Sequence, residues 1–268
     1  MKQVINSTSE HGWPNIEVEY HRPIELFVDN FVGFDQYKNS FKILWVRESE
    51  EIGKLKMAAI KNHKIFNAII TCEEHILSEC NNSYFMPFGT AWVRDYDFNI
   101  IKKFQISHLT GFKEQTKGHR LRKKIYYEQD KIIIPKDFYI SQHGGVENLF
   151  DNKILGELKN PLFESMFHVC IENTMQKNYF TEKLIDCFIT KTIPIYWGCE
   201  NIGNFFDVGG MYIVNNMDDI ICICNSLDDN AYKNKIDYVN NNFKTSQQYI
   251  TILDRLEYTI KKILKEVK

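Results

Sequence analysis

The chain has 268 residues with a formal net charge of -2, a hydrophobic share of 44% and a charged share of 25%. Those values describe a globular chain long enough to bury one large core or two small ones, and they leave no basic footprint for a nucleic acid. No apolar run approaches the roughly 18 residues of a membrane span, and residues 1–15 lack the basic start and apolar stretch of a signal peptide, so the expectation is a soluble, cytoplasmic protein without a transmembrane segment.

Taken in chain order, the first fifteen residues, with Ser7-Thr8-Ser9 and Gly12-Trp13-Pro14, read as irregular. Ile24 to Val28 is the first good strand and Phe41 to Val46 the second. Glu48, Glu50 and Glu51 follow that second strand directly and, on pattern alone, suit the acidic start of a helix. A helix over Ala58 to Lys64 leads to a third strand at Phe66 to Thr71, and Tyr84 to Phe88 before Gly89 is a fourth. Phe85, Met86, Phe88 and Trp92 offer aromatic and apolar faces for a sugar, although core packing is the plainer reading of them. The chain turns polar and then basic from Asp95 to Lys103, which sets an N-terminal α/β domain at 1–103 and a second at 104–252, with a closing helix over 253–268.

The second half opens with a strand at Phe104 to Leu109, a polar loop, and a helix beginning Arg120-Leu121-Arg122-Lys123-Lys124. Cations at a helix start oppose its dipole, so this is either a solvated basic helix or a place where an anion compensates. Phe138 to Ile140 is a strand that ends in the turn Ser141-Gln142-His143-Gly144-Gly145, which permits close approach of a base or is simply a turn; His143 reads as structural. Phe167 to Ile171 is a short continuous apolar strand closed by Glu172-Asn173-Thr174. Thr181 suits an N-cap, Leu184, Ile185, Phe188 and Ile189 recur at helical spacing, and Ile193 to Trp197 before Gly198 is the next strand. This βαβ unit puts Glu182 and Lys183 at a helix N-terminus, where open α/β sheets hold phosphates. On pattern alone Glu182 serves the helix dipole just as well, and Lys183 is equally at home in water.

Met211 to Val214 is a further strand, and Tyr249 to Lys265 is an amphipathic closing helix. The seven cysteines form an odd set without a Cys-x-x-Cys pair, which suggests reduced thiols in apolar stretches and neither a disulfide framework nor a zinc site; Cys222-Ile223-Cys224 belongs to a strand or helix.

Glu172-Asn173, Tyr179-Phe180-Thr181-Glu182-Lys183 and Pro194 to Gly198 together resemble the donor-binding signature of the fucosyltransferases of glycosyltransferase family 10, in the wording of the bacterial Lewis-antigen type. The resemblance implies a GT-B-like α/β fold with two Rossmann-like domains facing a cleft. Its N-terminal domain is reduced, because one or two early strand-helix units of the family are missing. It implies that Glu182 holds the ribose of GDP-fucose, that Lys183 meets the diphosphate, and that Tyr179, Glu172 and Asn173 shape the donor pocket. It likewise assigns a diphosphate contact to Arg122, with Arg120 as runner-up, and the catalytic base to Glu48 ahead of Glu50. The closing helix is expected to return to the first domain.

The expected activity is inverting transfer of fucose from GDP-fucose to a glycan hydroxyl. It needs no cofactor, and a divalent metal is at most stimulatory, since no Asp-x-Asp motif accompanies the site. The partners are then a nucleotide sugar and a glycan acceptor. A same-fold transferase of another nucleotide sugar, or a non-catalytic nucleotide- or glycan-binding homologue, fits the same residues.

Overall fold

Two parallel sheets organise the chain in the computed structural model, which describes residues 2–7, 16–142, 147, 150–151 and 153–267. Contrary to expectation, the first fifteen residues are not irregular throughout, since Lys2–Val4 and Asn6–Ser7 form strands; residues 8–15 and the turn at His143-Gly144-Gly145 lie outside the described residues. Contacts divide the chain into one unit of Met1–Phe88, Lys177–Tyr179 and Thr251–Lys268 and another of Gly89–Gln176 and Phe180–Ile250.

In the first unit β1 (Lys2–Val4) pairs antiparallel with β3 (Glu17–Glu19). The main sheet is built from β2 (Asn6–Ser7), β4 (Ile24–Val28), β5 (Phe41–Val46), β6 (Ala68–Thr71) and β7 (Ser83–Phe85), all parallel and laid side by side in chain order. Alternation along its strands separates two cores. Leu26, Ile43, Trp45 and Ile70 face one side, and Phe27, Leu44, Val46 and Ile69 face the other. Helices α2 (Lys56–Asn62) and α3 (Glu74–Glu79), reached through the short α1 (Glu50–Gly53), cover the second face with Ala59 and Ile76. The last helix of the chain, α9 (Ile252–Glu266), covers the first face through Ile252, Leu256, Ile260 and Ile263.

The second unit holds β8 (Lys103–Thr110), β9 (Lys136–Ser141), β10 (Lys153–Leu155), β11 (Ser165–Ile171), β12 (Ile193–Trp197) and β13 (Tyr212–Ile213), all parallel, in the order β10-β9-β8-β11-β12-β13. Numbered within the unit, that is the doubly wound order 3-2-1-4-5-6, whose winding reverses between β8 and β11. Phe167, Val169, Ile171, Ile193, Ile195 and Trp197 face one core, while Cys170 and Tyr196 face the other. Helix α4 (Lys117–Tyr127) packs Ile125 into the first of these cores, and α5 (Glu182–Ile189) packs Leu184, Ile185 and Phe188 into the second. Pro194, which has no N–H to give a ladder, pairs with His168 of β11 but lies outside the two-residue pairing of β12 with β13.

The second unit is completed by α6 (Met217–Ser226), α7 (Asp229–Lys233) and α8 (Ile236–Ser246). Cys222-Ile223-Cys224 therefore lies in a helix, with Cys224 buried and Cys222 exposed. Two further expectations need correction. Helix α4 opens at Lys117 and not at Arg120, because Thr116 Oγ1 accepts the His119 N–H at 3.2 Å while His119 Nδ1 accepts the Thr116 N–H at 3.3 Å. This closed capping box satisfies the helix start without an anion, and it places Arg120 and Arg122 past the first turn. Trp92 and Phe85 are not core residues either, being 57% and 47% exposed.

Candidate functional site

The loops leaving β8 and β11 start from neighbouring strands at the reversal point and lead to helices on opposite faces, which opens a crevice at the carboxyl end of the sheet. Backbone approach there is closer than a side chain permits. Gly118 donates its N–H to Asn173 O at 3.0 Å, and a Cβ on Gly118 would stand 1.8 Å from Glu172 O. From the other side a Cβ on Gly198 would stand 2.5 Å from Glu172 Cγ. At Gly118 any larger residue would push against the backbone at the end of β11, and at Gly198 it would displace the side chains of Glu172 and Tyr196.

Around that strand end the structure gathers a row of alternating charges. Glu172 is fully buried, and its carboxylate accepts the Thr181 N–H at 2.8 Å and the Thr181 hydroxyl at 2.6 Å, closing the loop from β11 to α5. Burial raises its pKa in spite of Lys183 nearby. Thr181 also caps α5, accepting the Lys183 N–H at 3.4 Å and the Lys183 ammonium at 3.2 Å. Lys183 Nζ stands 3.0 Å from Glu182 Oε1 and 3.9 Å from Glu172 Oε2. Burial disfavours its charge, yet the two carboxylates outweigh that and raise its pKa. Burial likewise opposes ionisation of Glu182, but Lys183 and Lys159 pull it down to about 2. One turn further along α5, the fully buried Asp186 accepts the N–H groups of Trp92 at 2.7 Å and Val93 at 3.0 Å, and burial lifts its pKa to about 6.

Arg122 reaches the same strand end from α4. Its guanidinium donates to Ile171 O at 2.5 Å, to Glu172 O at 3.2 Å and to Asn173 Oδ1 at 2.9 Å. Asn173 is thus held by Arg122 through its side chain and by Gly118 through its carbonyl. His119, in the capping box, faces Arg122, Lys183, Lys113 and Arg120; burial first, and these cations second, lower its pKa to about 4. Arg120 lies apart, exposed, donating to the carbonyls of Glu114 at 2.9 Å and Gln115 at 3.3 Å. The structure therefore joins Arg122, Glu172, Asn173, Glu182 and Lys183 in one network and leaves Arg120 outside it.

Glu48 and Tyr179 belong to the first unit. Glu48 follows the carboxyl end of β5, where Asp29, at the end of neighbouring β4, accepts the Arg47 N–H at 2.9 Å and the Glu48 N–H at 3.1 Å and pairs with the Arg47 guanidinium. Asp29 adopts φ 51°, a left-handed conformation that an Asx side chain tolerates, and its carboxylate fixes the backbone that presents Glu48. Tyr179 is buried, at 1% exposure.

Residues 113–240 match the family model described as glycosyltransferase family 10 (fucosyltransferase), C-terminal part. That region, just under half of the chain, is similar to glycosyltransferase family 10. It spans Arg122, Glu172, Asn173, Glu182 and Lys183, and so the whole of the charge network apart from the segment at Trp92 and Val93. The alpha-(1,3)-fucosyltransferase FucT of Helicobacter pylori is 44% identical over 46 residues, a stretch that is 17% of this chain and 10% of that relative. Among solved structures, an alpha1,3-fucosyltransferase crystallised with GDP aligns over 90% of this chain and 77% of its own at 18% identity and TM-score 0.51. The crystal structure of TarM aligns over 90% of this chain and 54% of its own at 16% identity and TM-score 0.62. The shared fold is of the GT-B class, α/β with parallel sheets.

Gly118, His119, Lys159 and Asp186 escape a reading of the family 10 motif. Thr116-x-x-His119 has capping-box spacing, and Asp186 shares a helix face with Glu182 at i+4, so two of these had a local signal. Among the described residues no cluster of three His, Cys, Asp or Glu side chains is arranged to hold a metal ion, and no helix is long and apolar enough to cross a membrane.

Proposed function

We propose that the protein is an inverting glycosyltransferase that moves fucose from GDP-fucose to a hydroxyl of a glycan. The observation that carries this reading is the convergence of Arg122 and Lys183, from helices on opposite faces of a doubly wound sheet, on one strand end within the family 10 region. Support for the donor comes from relatives: alpha1,3-fucosyltransferases of this fold have been crystallised with GDP and with GDP-fucose.

In this mechanism the acceptor oxygen attacks the anomeric carbon from the face opposite the diphosphate, the bond from that carbon to the β-phosphate oxygen breaks, and the configuration inverts. Glu48 takes the hydroxyl proton, with Glu50 as the alternative base. Arg122 and Lys183 meet the charge that develops on GDP, Glu182 holds the ribose, and Glu172, Asn173 and Tyr179 shape the pocket. Arg120 is a reserve contact for the diphosphate. Charge on the leaving group is met by side chains, so a divalent metal has at most a stimulatory part.

A second reading keeps the chemistry and changes the sugar, since TarM, of the same fold, has been crystallised with UDP. Calorimetry with GDP-fucose, GDP-mannose and UDP-sugars separates the two; if no GDP-sugar binds, the fucose reading fails. Glu48→Gln is expected to abolish transfer while GDP binds as before. Unchanged turnover would exclude Glu48 as the base, and donor binding without any transfer by the native chain would favour a binding protein.

A further inference from the structure

The Lys183 ammonium is turned inward. It donates to Glu182 Oε1 at 3.0 Å and to Thr181 Oγ1 at 3.2 Å, and it stands 3.9 Å from Glu172 Oε2 as an ion pair. A diphosphate that recruits this ammonium therefore takes it from Glu182. Glu172 tolerates the loss, because Thr181 still gives it two hydrogen bonds at 2.8 and 2.6 Å. Glu182 is left with the Thr181 side chain and the more distant Lys159. Its side chain is only 6% exposed, and a buried carboxylate left without a partner is strongly unfavourable.

Lys159 occupies the position that resolves this. Its Nζ stands 3.5 Å from Glu182 Oε1 and 3.6 Å from Asp186 Oδ2. Both separations exceed the roughly 2.7–2.9 Å of a short charge-assisted bond, so the ammonium is shared between the two carboxylates, with only a long hydrogen bond to Glu182. The Trp92 ring roofs it, with Nζ 4.3 Å from the ring centroid, and Asp186 Oδ1 fixes that roof by accepting the Trp92 and Val93 N–H groups. Asp186 Oδ2, fully buried, has no hydrogen-bond partner of its own. A fixed roof, a long contact on each side and a short path to Glu182 are what a movable counter-ion requires.

We infer that Lys159 is a positioning residue for the donor site: when an anionic ligand draws Lys183 outward, Lys159 closes on Glu182 and keeps that carboxylate ionised and in place. The inference rests on the nucleotide-diphosphate reading of the site. The charged or titratable groups around this exchange are Glu182, Lys183 and Asp186 of α5, Glu172 at the end of β11, and Arg122 and His119 of α4.

The test uses the full chain and GDP as the probe, with binding heats measured at several pH values in buffers of different protonation enthalpy. Lys159→Met is expected to bind GDP at least tenfold more weakly than the native chain and to take up a proton that the native chain does not, because a carboxylate must then be neutralised. The gap between the two should narrow as the pH falls from about 8 to about 6, since protons then substitute for the missing ammonium. Lys159→Arg should restore the affinity and remove the extra proton. Should Lys159→Met prove poorly folded, the double variant Lys159→Met, Asp186→Asn removes the unpaired Asp186 and must still bind GDP weakly. Native affinity and native proton uptake in the charge-less variants, with only a lower melting temperature, would overturn the inference. Failure of the native chain to bind GDP would remove the donor reading and this inference together.

Discussion

His108, His119 and His168 are buried imidazoles whose charge the fold refuses. Burial lowers His108 and His119 to about 4 and His168 well below its usual value, with Arg122 adding to the effect at His108 and His119. His108 sets its two ring nitrogens against two carbonyl acceptors, Val169 O at 3.2 Å and Arg122 O at 3.1 Å, and the single N–H of the neutral ring donates to one of them. The unfolded chain protonates these rings near pH 6.5, whereas the folded chain protonates His108 and His119 only at about 4 and holds His168 well below its usual value. Their stabilisation is therefore complete above 6.5 and lost as the pH falls from there toward 4. For His108 alone the loss is about 3 kcal/mol. Asp186 acts the other way, since its raised pKa makes the fold gain stability as the pH falls from about 6 toward 3.8, but it offsets only one histidine. Melting temperature should accordingly drop between pH 7 and pH 4.5. His119→Gln, which keeps the capping-box acceptor, should flatten part of that drop; a melting temperature independent of pH in the native chain would contradict the assignment.

At the scale of elements, the contact between the start of α4 and the end of β11 decides the geometry of the site. A basic helix after β8 is legible in the sequence, and so is a capped helix after β11, because both depend on spacing within one segment. The start of α4 is misread from sequence for an identifiable reason. The His119 ring takes the place of the usual Glu or Gln in the capping box, so the Thr116 cap is less conspicuous than the run of cations beyond it. Gly118 is not legible at all, because its necessity comes from Glu172 and Asn173, more than fifty residues away in the chain and touching only through the sheet. Gly118→Ala is expected to force α4 away from β11, lowering stability by about 1–3 kcal/mol and weakening GDP binding at least tenfold as Arg122 loses its register. Thermal melting and calorimetry check this together. An alanine variant with native GDP affinity would show that the site does not depend on this contact.

For the whole molecule, the last helix supplies the cover for the first sheet. Ile252, Leu256, Ile260 and Ile263 of α9 complete a core with Leu26, Ile43 and Trp45, so the two ends of the chain fold as one unit. Leu256→Ala, at a side chain with no exposure, should cost about 2–5 kcal/mol. Hydrogen exchange should show the loss at the amides of β4, β5 and β6 and leave those of β11 and β12 protected. Equal loss in both units would mean that they unfold together.

Local order alone determines the inventory: parallel strands as continuous apolar runs, a Thr-capped helix, and a motif in the wording of glycosyltransferase family 10. Spacing and composition act over a few residues, and those features need no more. The sheet order with its reversal between β8 and β11, the backbone grip of Arg122, and the sharing of Lys159 between Glu182 and Asp186 required the folded chain. Each is a contact between segments far apart in sequence, chosen by packing and by the need to pair buried charge, and none leaves a periodic trace along the chain.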